Sequence, residues 1–130
     1  MIQAMPTAPL PSLSPELLKR IQAETAHVRI GFPFWLRMFL WANVAAITLG
    51  RRIYIDPHYM QRGADRIESL VRHELAHVRQ VSQLGIMRFA YRYLQDYVRL
   101  RRSGLASGAA YEAIPFEIEA RNAEQDSALV

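Results

Sequence analysis

A chain of 130 residues, 51% of them hydrophobic, has apolar material for one modest core. It has no cysteine, which excludes disulfides and thiolate ligands and suits a reducing, cytoplasmic setting. The net charge is +4, from fifteen arginines and one lysine against twelve acids, but the cations are scattered and Arg51-Arg52 and Arg101-Arg102 are only dipeptides, so no nucleic-acid-binding module is expected.

Residues 1–14 carry no basic residue and three prolines (Pro6, Pro9, Pro11), which predicts a flexible tail rather than a secretory signal. Residues 15–130 then form a single domain. Ser14 is a suitable N-cap and Pro15 fits a first helical turn, so a short helix is predicted to about Ala26. The stretch from Phe32 to Gly50 holds Phe32, Phe34, Trp35, Phe39 and Trp41. Its uncharged run, residues 38–50, falls short of the ~20 needed to span a bilayer. It reads as core; contact with a membrane surface through Phe32–Trp41 is the lesser reading. Residues 44–49 and 52–55 are β-rich runs joined by Gly50-Arg51, the composition of a two-residue hairpin turn with glycine first. Asp56-Pro57 ends the second run.

Residues 65–84 predict a helix, with Gly63 before it, Asp65 as a cap and Gly85 closing it. Ile67, Leu70, Val71, Leu75, Val78 and Val81 form its apolar arc. Within it lies His73-Glu74-Leu75-Ala76-His77, an H-E-x-x-H sequence. Two histidines four apart share a helix face and can reach one zinc ion. Glu74 falls about 100° round from His73, where it can touch a metal-bound water without being a ligand. It also falls inside the apolar arc, where a carboxylate needs a metal, a water or a donor. Gln80 and Arg66 lie on the histidine side and could line a cleft.

Residues 86–103 predict another amphipathic helix. Ile86, Met87, Ala90, Leu94, Tyr97 and Val98 make its buried stripe, with Arg88, Arg92, Arg99 and Arg102 outside. A glycine-bearing loop, residues 104–111, follows. A zinc hydrolase needs a third protein ligand, here His, Asp or Glu. Pro115 suits the start of a last helix, to about Gln125, on which Glu117 shares a face with Ile114, Arg121 and Glu124 while Glu119 lies about 160° away. One of Glu117 and Glu119 can face the metal.

H-E-L-A-H followed by a later helix carrying Glu-Ile-Glu-Ala resembles the gluzincin branch of zinc metallopeptidases, and the wording HELAHVRQ and PFEIEA is most similar to small bacterial proteins of that kind. The resemblance implies an α+β, mostly helical, minimal zincin-like fold with a short β-hairpin before the metal-binding helix. It implies zinc held by His73, His77 and Glu117, with Glu74 as general base for a zinc-bound water that attacks a peptide bond. In the branch's E-x-x-A-D pattern the alanine falls on Ala120, but the aspartate position holds Arg121, which cannot accept a hydrogen bond from a ligating imidazole. Tyr111 and His58 are the candidate donors to the developing oxyanion. A strand edge before the metal helix would pair with an extended peptide or protein substrate. The expected function is thus a zinc metallopeptidase. A zinc-binding interaction module with little turnover is the alternative.

Overall fold

The computed structural model describes residues 13–33 and 45–125. Most of the expected tail and the aromatic segment 34–44, with the proposed contact through Trp41, lie outside the described residues. Of the residues assigned to the tail, only Leu13 and Ser14 are described, and both are anchored. Leu13 is buried in the core, and the Ser14 N–H donates to the Glu68 carboxylate at 2.8 Å. The Ser14 hydroxyl accepts from the Leu17 N–H at 3.3 Å, which caps α1 (Pro15–Ala23) with Pro15 in its first turn.

Helix α1 ends before Ala26 because Thr25 turns at φ +50°, sending the chain into an unexpected strand. This is β1 (His27–Ile30), which runs parallel to β3 (Arg52–Ile55); β2 (Ala46–Leu49) completes the predicted hairpin antiparallel to β3. The order is β1-β3-β2, with Ile53 facing both Val28 and Thr48. Gly50 takes φ +64°, the left-handed conformation that the first residue of this turn requires. The central strand is the buried one, through Ile53, Tyr54 and Ile55.

A 3-10 turn, Pro57–Arg62, leads to the long helix α2 (Ala64–Leu84). Its N-cap is Gly63 rather than Asp65, which sits in the first turn, where the helix dipole favours a negative charge. Gly85 closes it at φ +84°. Along one side Ile67, Val71, Leu75 and Val78 pack with Leu17, Ile53 and Ile55. The other side meets α5 (Pro115–Gln125) through Ala76, Ala120 and Ala123. Alanines at a helix crossing let the backbones come close, so the side chains flanking them meet.

Between these lie α3 (Ile86–Arg102) and α4 (Ser107–Ala113), the latter taking much of the stretch expected to be a loop. The expected burial of the α3 stripe is not found: none of its residues is buried, and Met87 is 81% and Leu94 61% exposed. The helix is held along one edge, where Phe89 stacks on Phe116 at 4.8 Å between centroids. Nothing among the described residues covers the remainder. The fold is the expected α+β type, mostly helical with a small sheet ahead of the helices. No helix among the described residues is long and apolar enough to cross a membrane.

Candidate metal centre

His73 and His77 sit one turn apart on α2, with ring centroids 5.0 Å apart. The α2–α5 contact brings Glu117 between them. Its Oε1 lies 3.0 Å from His73 Nε2, and its Oε2 lies 3.2 Å from His77 Nε2. All three side chains are buried or nearly so. Behind the rings, His73 Nδ1 faces Glu124 Oε2 at 2.7 Å and His77 Nδ1 faces Gln80 Oε1 at 2.9 Å. The Gln80 amide is oriented by its own donations to the Phe116 carbonyl and to Glu119.

Both nitrogens of each ring therefore face acceptor oxygens, whereas a neutral imidazole has one N–H to give. If Nδ1–H serves Glu124 and Gln80, each Nε2 turns a lone pair toward a carboxylate. A proton or a cation must lie between them. His73 illustrates the demand. Burial by itself lowers its pKa, but the Glu117 hydrogen bond, the Glu74 charge and the Glu124 hydrogen bond override this and push it up to about 9. The same contest, burial against Glu117, raises His77. For Glu117 burial works upward, yet the bonds from both histidines hold it well below the usual carboxylate range. His73, His77 and Glu117 each offer one ligand atom within a span of 4.8 Å. Two ligands of one tetrahedral zinc stand about 3.3 Å apart, so this donor set and spacing fit such an ion.

The cluster floors a cleft of about 880 Å³. One wall is residues 45–48, where β2 is an edge strand that pairs only with β3 among the described residues. The other wall is α3, through Phe89, Tyr93, Leu94 and Tyr97. Glu74 lies in the cleft, buried, where the Thr48 hydroxyl donates to its Oε1 at 2.6 Å. That bond ties the carboxylate to the sheet edge and fixes where its free oxygen can point.

Tyr111 lines the cleft from α4, half-exposed, with its pKa raised by burial and then by the charges of Glu117 and Glu74. Tyr93, which the sequence does not single out, donates its hydroxyl to Glu117 Oε2 at 2.6 Å, and burial followed by that bond raises its pKa steeply. It stands four residues after Phe89 on the cleft side of α3; that spacing was the available signal. Glu124 supplies the carboxylate that Arg121 could not, one helical turn beyond the position the resemblance pointed to, while Arg121 donates to the Glu112 carbonyl. Glu119 binds Gln80 on the far side of the ring. His58 is outside the cleft, its side chain 89% exposed against Asp56, and Arg66 is exposed as well.

Fold and site together define an α+β protein with a buried His-His-Glu cluster beneath a sheet edge. A family model described as the eCIS core domain matches residues 16–85, more than half of the chain, and the chain belongs to that family. The family that matches is this one rather than a gluzincin family. Comparison with curated proteins and with solved structures gives no match. The matched residues include Thr48, His73, Glu74 and His77 and stop before Tyr93, Tyr111, Glu117 and Glu124.

Proposed function

We propose that the chain is a zinc-dependent metallopeptidase of the gluzincin type. The observation that carries this reading is the pair of Nε2 atoms aimed at Glu117, with Glu74 beside them in one cleft. His73, His77 and Glu117 would hold the ion. Zinc bound by such a set acts as a Lewis acid and makes water acidic enough to attack near neutral pH.

The chain's own residues do the rest. Glu74 accepts the proton of the attacking water and returns it to the leaving amine. Thr48 keeps one oxygen of Glu74 occupied, so the other remains for that proton. The single Tyr93 hydroxyl proton is given to Glu117 and so holds that carboxylate in place, whereas Tyr111, kept neutral by its raised pKa, lines the cleft as the donor to the oxyanion. The outer edge of β2, unpaired among the described residues, offers backbone hydrogen bonds to an extended peptide, and the apolar wall of α3 favours a bulky apolar side chain next to the scissile bond.

The test is zinc content and peptide cleavage of the purified chain beside Glu74→Gln and Glu117→Ala. Stoichiometric zinc in the wild type and in Glu74→Gln but not in Glu117→Ala, with cleavage by the wild type alone, supports the proposal. Zinc without cleavage in the wild type would instead support a zinc-stabilised interaction module. Absence of zinc at micromolar supply would overturn both.

A further inference from the structure

The cleft uses only one side of α3. A second stripe, Met87, Tyr91, Leu94 and Val98, runs along the helix at spacings of four, three and four, so these side chains share one face. They are 81%, 66%, 61% and 39% exposed. Only Leu94 also borders the cleft. The stripe is about 17 Å long.

The charges beside it are of one sign. Helix α3 carries five arginines (Arg88, Arg92, Arg99, Arg101, Arg102) against the single acid Asp96. On the helical wheel Arg88, Arg99 and Arg102 border one flank of the stripe and Arg101 the other. Arg99 is paired with Asp96 and Arg101 donates to Tyr97, whereas Arg88 and Arg102 make no ion pair among the described residues. An exposed apolar ridge bordered by unpaired arginines matches a helix lying in the plane of a lipid interface, its apolar side among the acyl chains and its cations at the headgroups.

We infer that α3 docks the protein flat onto an anionic phospholipid surface through Met87, Tyr91, Leu94 and Val98. Two copies joined through this face would set arginine against arginine, which argues against self-association. A convex ridge suits a planar partner better than it suits an extended peptide. The inference is independent of whether the cleft cleaves anything.

Co-sedimentation of the full chain with vesicles tests it. Vesicles of equal parts phosphatidylcholine and phosphatidylglycerol should pull the protein down, and phosphatidylcholine vesicles should not. Met87→Glu with Tyr91→Glu, both outside the cleft, should abolish binding while leaving the circular dichroism spectrum intact. Arg88→Gln with Arg102→Gln should weaken binding roughly 30-fold, as two headgroup contacts would. No partition, equal partition to neutral vesicles, or insensitivity to both variant pairs would overturn the inference. So would capture by polyglutamate in place of vesicles, or a dimer that Met87→Glu dissolves.

Discussion

Helices α2 and α3 follow one another across a single glycine and share the same amphipathic rhythm, yet they meet opposite fates. Nine residues of α2 are buried and none of α3 is. Periodicity marks which side chains share a face; it does not supply something for that face to pack against. Helix α2 has the sheet and α1 on one side and α5 on the other, so even its polar residues His73, Glu74, His77 and Gln80 are enclosed. Helix α3 touches its neighbours along an edge and stands off from β2, and the gap between them is the cleft. The family match ends at residue 85, where this difference begins.

The sharpest way to break the comparison is to truncate one apolar residue on each helix. Leu75→Ala on α2 removes a side chain that is 1% exposed, and chemical denaturation should show a loss of about 2–5 kcal/mol. At the other extreme Met87→Ser on α3 should change stability by no more than about 0.5 kcal/mol in the same measurement. Similar values for the two would mean that α3 has a partner in solution.

Between these lie changes at the candidate metal centre. Glu124→Gln exchanges the carboxylate behind His73 Nδ1 for a neutral amide and should lower zinc affinity about 10–100-fold in competition with a chelator. A fold as stable as the wild type would separate that effect from unfolding.

Next is the dependence on pH, which should differ between the metal-free and zinc-loaded chains. His73 is raised from 6.5 to about 9 by its acidic neighbours, so in the metal-free chain its pairing contributes fully below pH 6.5 and is lost as pH rises through about 9. Glu117 is depressed, so its contribution is present above its ordinary pKa of 4.5 and is lost as pH falls. Thermal melts of metal-free protein should therefore decline toward both ends. Zinc must displace the His73 proton, so its apparent affinity should rise up to about pH 9 and then level off, and the loaded protein should keep its melting temperature there. Melts that coincide with and without chelator would contradict this.

Much of the architecture was legible in short windows. Ser14-Pro15 and Pro115 mark helix starts, Gly50 marks the hairpin, and Gly85 marks the end of α2, because caps and turns depend on a few consecutive residues. Strand β1 was not legible: His27–Ile30 is short and half polar, and it is a strand because β3 lies beside it. Nor was the role of Thr48, which meets Glu74 only because β2 is the edge laid against α2.

By itself, then, the order of residues determined the helical turn that pairs His73 with His77, the place of Glu74 beside them, and a last helix with Glu117 and Glu124 on one face. Those relations span a turn or two of helix, and the 3.6-residue period sets them. The choice of Glu117 over Glu119, the meeting of Glu124 with His73 rather than His77, the approach of Tyr93, and the open side of α3 came only with tertiary structure. The reason is distance along the chain: His73 and Glu117 are 44 residues apart, and the alanine-lined crossing of α2 and α5 brings them within 3.0 Å.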